Sequence, residues 1–452
     1  MTALGTESNP LRVAIIGAGP SGMYAADALF KSGISVTVDA FDRLPTPYGL
    51  LRGGVAPDHQ QMKSVAKYYD RVASHPNFSF FGNVKIGTDL TIEDLRQHYD
   101  ACIFTCGAET DKKLGVSGEE LQGSFAATEF VGWYNGHPDY QDRVFDLSQE
   151  RVAIIGQGNV AIDVTRILAK TPKELASSDI SAAAMDSLSK SKVKEIYLIG
   201  RRGPVQSAFT KMEIEELGHL EDCDIFVESG DLELGAACLA ELEASNKAQK
   251  NVDVLRSFAS RPEQKKSKKI IVKFFRSPLE ILGEDHLHTL RLGITSLSGE
   301  AGNQKASVSS EVEDLPCGLV FRSVGYYGVP VPGVVFDDKK GIIPNEMGRV
   351  EPGLYVSGWI KRGPSGVLGS NKPDSTETVQ SLLADMPTLT PAEIRSTDTV
   401  IQLLKDRHVT VVTFSDWQRL DAEEQRRGQE AGKPREKFTS VTDMLSFLHG
   451  NH

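Results

Sequence analysis

Arg12-Val13-Ala14-Ile15-Ile16-Gly17-Ala18-Gly19-Pro20-Ser21-Gly22-Met23 opens a stretch that runs on to a second apolar segment, Ile34 to Phe41, and stops at Asp42. The order is strand, glycine turn, helix, strand, acid, which is a nucleotide-binding βαβ unit. Gly17 allows the tight turn, Gly19 lets the backbone approach a pyrophosphate, and Gly22 lets the helix pack on the strand. The helix start then offers unpaired N–H groups and partial positive charge to phosphates. Asp42 stands where a carboxylate accepts from ribose hydroxyls.

The same pattern returns once. Arg151-Val152-Ala153-Ile154-Ile155 reads as a strand, followed by Gly156-Gln157-Gly158-Asn159-Val160-Ala161 and a helix through Asp163, Arg166 and Leu168. Alanine takes the packing position of the third glycine. A polar helical insertion, Thr171 to Lys192, precedes the next strand, Glu195 to Ile199. No acid follows that strand; Arg201 and Arg202 stand there instead. Two guanidinium forks suit a dianionic phosphate, so this second site is expected to take the 2′-phosphate of NADP.

With 452 residues, 40% apolar and 25% charged, the chain is expected to form two or three domains of a soluble globular protein. No apolar run reaches the length of a membrane span. The first eleven residues contain Glu7 and no Lys or Arg, unlike a signal or transit peptide. Cys102, Cys106, Cys223, Cys238 and Cys317 form no CxxC and no zinc spacing. They read as thiols in a reducing, cytoplasmic setting, with no metal site. A net charge of −11 argues against nucleic acid as a partner.

Between the two βαβ signatures, Pro45 to His59 is dense in Pro and Gly and reads as a long functional loop. Gln60 to Ala73 reads as a helix, Phe78 to Gly82 and Val84 to Ile86 as strands, and Thr91 with Asp94 as a helix cap. Ala101 to Ala108 reads as a buried strand ending in a small-residue turn. Residues 109–150 read as a connector. Residues 246–276 hold ten basic residues against Asp253 and Glu263; such a run is usually a solvated loop face, or else a docking patch for an acidic protein. Thr295 to Glu313 reads as an exposed loop, and Leu319 to Val324 as a strand entering a glycine turn. Gly353 to Gly369 reads as a short strand that delivers Gly358, Trp359 and a turn onto a helix start, where the dipole can polarise an electron-rich ring. Val409 to Phe414 reads as one more strand, before a charged helical tail interrupted by Gly432 and Pro434.

These motifs, in this order, resemble NADPH–ferredoxin reductases of the adrenodoxin reductase type. The resemblance runs from about residue 12 to the end. It rests on Gly17 to Gly22, Gly49-Leu50 to His59, Gly156 to Ala161, Gly200 to Pro204 with Phe209-Thr210, and Gly358 to Val367. The tail Gly432-Lys433-Pro434-Arg435-Glu436-Lys437-Phe438 is similar to that of bacterial members. The resemblance implies an α/β fold of two Rossmann-like dinucleotide-binding domains: FAD on a discontinuous domain (1–107 and 326–452) and NADP on 108–325. It implies FAD contacts at Ser21, Asp42, Leu50, Val84, Trp359, Gly366, Val367 and Leu368. It implies NADP contacts at Gln157, Gly158, Asn159, Val160, Arg201, Arg202, Glu213 and Gly366. Relatives often carry Glu where Asp42 stands, one methylene longer. The activity implied is hydride transfer from NADPH to FAD, then single electrons to a ferredoxin-type iron–sulfur protein. His59 and Glu213 are candidates to handle a proton or steady the nicotinamide.

Three other activities fit parts of the pattern. A disulfide reductase needs a cysteine pair, and Cys102 and Cys106 on one extended strand lie too far apart to bridge. A flavin oxidase or monooxygenase would consume NADPH with oxygen alone. A flavin-bearing interaction protein would bind FAD and not bleach with NADPH.

Overall fold

A computed structural model describes residues 3–450, so the outermost residues of the expected domain bounds lie outside it. The chain folds as two compact units. The first takes residues up to Thr110 and from Gly325 onward; the second takes Asp111 to Val324.

The first unit is built on a six-stranded sheet. Its order is Arg349–Glu351, Leu354–Val356, Ala101–Phe104, Leu11–Ile16, Val36–Asp42 and Phe78–Gly82, parallel apart from the outermost pair Arg349–Glu351 and Leu354–Val356. Leu11–Ile16 has all six residues buried, as a central strand covered on both faces requires. One face carries helices Pro20–Phe30 and Asn371–Asp385, with Met23, Leu29, Val379 and Leu382 in the core. The chain leaves the central strand in opposite directions for its two neighbours. This switch point leaves a crevice at the strand's carboxyl end, where the glycine turn lies.

The second unit repeats the plan. Ser124–Ala126, Leu319–Arg322, Arg151–Ile155, Glu195–Ile199, Lys268–Lys273 and Cys223–Val227 form a parallel sheet, again with the glycine turn leaving a central strand. Helix Ala127–Tyr134 lies inside the expected connector. It is ordered by an aromatic cluster of Phe125, Phe130, Trp133, Phe145 and Phe321.

Five sequence readings need correction. Gln60–Ala73 is two helices, Gln60–Lys63 and Ala66–Ala73, parted by a turn at Ser64 and Val65. Val84 to Ile86 is no strand: Asn83 turns the chain at φ +60°, and only Ile86 bridges, to Leu90. Val84 and Ile86 are buried as plugs, not as ladder members. Val409 to Phe414 pairs only through Val412 with Gly82, and Thr413 then caps helix Phe414–Glu430. Thr295 to Glu313 belongs to a three-stranded antiparallel sheet of Arg276–Gly283, Leu287–Ser298 and Lys305–Pro316. Its last strand is an exposed edge, so its Ser and Glu residues give no apolar alternation to read. The basic run at 246–276 is a loop chiefly over residues 260–267. The rest is mainly helix Asn246–Ala259 and the interior strand Lys268–Lys273. Lys266 and Lys268 donate to the Leu220 and Leu168 carbonyls, Lys269 pairs with Glu263, and Lys273 lies between Glu228 and Glu313. Much of the charge is spent on internal contacts. No described helix is long and apolar enough to cross a membrane.

Placement on an interior strand sets a stability contrast. Lys268→Glu would turn a carboxylate onto the Leu168 carbonyl in a half-buried site, so it should cost about 2–4 kcal/mol. Exposed Lys265→Glu should stay within about 0.5 kcal/mol. Urea unfolding of the two variants compares them directly; equal midpoints would mean that Lys268 is solvated.

Candidate functional site

The two glycine turns divide their glycines into two kinds. Gly17 has φ +109°, and a Cβ there would lie 2.7 Å from the Thr105 carbonyl oxygen at the end of the neighbouring strand. At Gly22 a Cβ would lie 2.2 Å from the Gly17 oxygen. In the second unit Gly156 has φ +132°, and its Cβ would lie 2.1 Å from the Ser323 oxygen. The fold itself demands these three. Gly19 and Gly158 are different. Their φ values are −78° and −100°, open to any residue. A Cβ at Gly19 would meet only the Gly49 Cα, at 3.8 Å, and one at Gly158 would meet nothing within 4 Å. A side chain is missing there although the protein has room for it, and that space lies at a helix start.

Both helix starts are also bare. Pro20–Phe30 and Asn159–Ala169 have glycine N-caps, no side-chain cap and no acid in the first turn. Elsewhere Thr91, Thr171 and Thr413 cap helices with full capping boxes. Each bare end keeps its positive end and its N–H groups for an anion, which fits a dinucleotide pyrophosphate.

In the first unit the structure gathers most of the residues singled out by sequence. The Asp42 carboxylate accepts from the N–H groups of Ala18 and Leu44, both at 3.0 Å, and so is tied to the glycine turn itself. Burial pushes its pKa up to about 6, opposed by those two donors. The Asp42 carbonyl accepts from Val84 N–H at 2.9 Å. Leu50 opens the short helix Leu50–Gly53, just after Gly49, whose Cβ would lie 3.2 Å from the Gly19 Cα. Ser21 donates to Ser357 at 2.9 Å, and a Cβ on Gly358 (φ +81°) would lie 2.8 Å from the Ser21 side chain. The Gly358-Trp359 turn is thereby packed on the pyrophosphate helix. Trp359 Nε1 donates to the Ser365 carbonyl, and its ring meets Tyr326. Gly366 has φ +83°; Val367 is exposed and donates its N–H to Ser370; Leu368 starts a 3-10 turn. His59 is half-buried at the start of Gln60–Lys63, its N–H on the Ala56 carbonyl.

Sequence reading missed the support of that turn. Asp374, in the first turn of Asn371–Asp385, accepts from Gly358 N–H at 2.6 Å and from Ser357 at 3.2 Å. It also pairs with buried Lys361 at 3.1 Å and lies 3.7 Å from Arg362. Arg362 Nη1 is buried with no hydrogen bond among the described residues and faces Asp374 as an ion pair. The arrangement fits a flavin with its electron-rich edge toward N–H donors and cations. Only a turn of charged residues after the tryptophan signalled it in the sequence.

In the second unit, the Gln157 carbonyl accepts from Ala208 and Phe209 N–H, and Asn159 Oδ1 from Thr210 N–H at 2.9 Å. This brings the Arg201-Arg202 segment to the glycine turn. The Arg201 and Arg202 carbonyls are fixed by Thr295 and Phe275, a buttress that no motif announced. Both side chains are exposed, and among the described residues neither has an ion-pair or hydrogen-bond partner. That leaves two guanidinium groups free for a phosphate. Val160 packs against the core beside them. Glu213 lies buried on helix Lys211–Leu217, 3.5 Å from Arg166, which also pairs with Asp163 and Glu216.

The profile of pyridine nucleotide-disulphide oxidoreductases matches residues 11–217. The chain is 41% identical to an NADPH-ferredoxin reductase FprA of Mycobacterium leprae over 97% of its own length and 98% of that protein's. It is 41% identical to the mitochondrial NADPH:adrenodoxin oxidoreductase of Arabidopsis thaliana, covering 97% and 95%. The solved structure of Mycobacterium tuberculosis FprA in complex with NADPH superposes with a TM-score of 0.94 at 40% identity, over 98% of this chain and all of the other.

Gly22→Ala should destabilise the first unit, because a methyl group meets backbone at 2.2 Å. Gly19→Ala and Gly158→Ala should keep the melting temperature and weaken binding about tenfold or more, the first for FAD and the second for NADP+. Melting curves, FAD content and titration calorimetry separate the three; lowered stability of Gly158→Ala without weaker binding would make that glycine structural.

Proposed function

The chain belongs to the NADPH–ferredoxin reductase family that includes the adrenodoxin reductases, and from that premise we propose how its two units divide one reaction. It is an FAD-dependent oxidoreductase that takes hydride from NADPH and delivers single electrons to a ferredoxin-type iron–sulfur protein. FAD, when bound, supplies the conversion of a two-electron donor into one-electron deliveries.

The first unit holds FAD. Gly19 and the bare start of Pro20–Phe30 take the pyrophosphate, with Ser21 beside it. Asp42 takes a ribose hydroxyl with the lone pairs that Ala18 and Leu44 leave free; its short side chain reaches partly through water. Leu50, Val84, Trp359, Gly366, Val367 and Leu368 line the flavin, and Asp374 fixes the turn that presents it. The second unit holds NADPH. Gln157, Gly158, Asn159 and Val160 carry its pyrophosphate, and Arg201 with Arg202 its 2′-phosphate. Glu213, sequestered with Arg166, steadies the nicotinamide half, and His59 handles a proton at the edge of the loop that follows Leu50. The single observation that carries this reading is the pair of dinucleotide turns, one followed by an acid and one by two unpaired arginines. All five thiols are free, which supports a cytoplasmic setting.

Anaerobic NADPH should bleach the yellow protein, and a panel of ferredoxins should then restore its colour. Bleaching followed by reoxidation with oxygen alone would favour an oxidase. Replacing Arg201 and Arg202 by Ala should raise the NADPH KM, by about 1.5–3 kcal/mol for each lost charge-assisted contact. Steady-state rates with a small dye should show NADH use little changed. Equal losses with both nucleotides would mean that the arginines hold the fold.

A further inference from the structure

The charged C-terminal segment carries one residue whose surroundings do not suit a solvated tail. Glu424, on helix Phe414–Glu430, has no exposed side-chain surface. Both of its oxygens take the guanidinium of Arg52, one at 2.7 Å. Arg435 reaches the same carboxylate at 3.2 Å, and Phe438 N–H donates to it at 3.0 Å. Arg52 is held from two further directions, and one of those partners is itself braced. Its guanidinium lies 5.1 Å over the Trp417 ring, the Trp417 ring meets Tyr48 edge-on, and Lys437 donates to the Arg52 carbonyl. The partners of Arg52 named here, Trp417, Glu424 and Lys437, all lie more than 360 residues further along the chain.

Arg52 is not a surface residue chosen at random. It belongs to Leu50–Gly53, whose N-cap Gly49 presses on Gly19, and Tyr48 N–H donates to the Ala18 carbonyl at 2.8 Å. A continuous path therefore runs from Glu424 through Arg52 to the dinucleotide turn. A buried ion pair adds little net stability, because desolvation offsets attraction, and apolar residues of similar size often serve as well. The tail has an apolar anchor of its own in Trp417, Leu420, Phe438 and Met444. What the ion pair adds is a fixed direction for Arg52.

We propose that the C-terminal segment is a latch on the flavin loop. Glu424, acting through Arg52, is a positioning residue that holds Leu50–Gly53 against the Gly19 turn and so sets how tightly FAD is kept. The inference rests on the reading of the first unit as the FAD site.

The test compares the full-length wild type, Glu424→Gln, and the double variant Arg52→Met/Glu424→Leu, which removes both charges and keeps apolar volume. FAD release on dilution, followed by the rise of flavin fluorescence, is read beside the melting temperature of FAD-free protein, the flavin absorption bands and the affinity for 2′,5′-ADP. The expected result is release faster by about tenfold in both variants, as for the loss of one charge-assisted contact. The flavin bands should shift, while 2′,5′-ADP affinity and the FAD-free melting temperature of the double variant stay at wild-type values. Wild-type FAD retention and spectrum in the double variant would overturn the latch. So would FAD loss that only tracks a lowered melting temperature, since the pair would then be structural. A wild type that takes up no FAD would instead sink the FAD reading itself.

Discussion

Two backbone segments approach so closely that no Cβ fits between them, and both units depend on that approach. In the first unit it is Gly17 against Thr105, in the second Gly156 against Ser323. In each, the end of the central strand lies against the end of the neighbour reached by the opposite crossover. The contact fixes where the crevice of the sheet opens, and it aims an uncapped helix start into that crevice. Gly22 and Ala161 then keep each helix close to its strand. Once this geometry is set, the residue at the end of the next strand stands beside the glycine turn. That residue is Asp42 in one unit, and the segment of Arg201 and Arg202 takes its place in the other.

Charge is used in two ways. Charged groups that are buried and paired hold shape: Arg52 with Glu424, Lys361 with Asp374, Lys273 between two glutamates. Their desolvation is offset by short, often bidentate contacts, and replacing one partner leaves the other stranded. Charged groups left over from this pairing are the ones available to a ligand. Arg201 and Arg202 stand exposed with fixed backbones, so their guanidinium groups are presented to solvent without being part of the core. A count of basic residues cannot separate the two uses. The 246–276 run is the example: several of its lysines and Arg276 are committed to carbonyls and carboxylates inside the second unit.

The two βαβ units and the family were legible in the sequence because their cause is local. A glycine turn needs particular residues at particular spacings, and an acid or an arginine after the second strand changes the ligand directly. The strands Leu11–Ile16 and Arg151–Ile155 were legible for the same reason, through the apolar runs Val13 to Ile16 and Val152 to Ile155, which are buried on both faces. Other features required the tertiary structure. Val84 to Ile86 and Val409 to Phe414 are apolar enough to be strands, but a strand exists only where a neighbour offers a ladder, and here each has one bridge. Lys305–Pro316 looks like a loop because an edge strand can be polar on both faces. The support of the Gly358-Trp359 turn by Asp374, and the grip of Glu424 on Arg52, join residues that no spacing connects. The sequence determined where the two glycine turns and their helix starts stand, since that depends on backbone freedom and residue type within a few positions. The tertiary structure decided which charges remain free to bind and which are locked in place, because pairing depends on proximity in space between segments hundreds of residues apart.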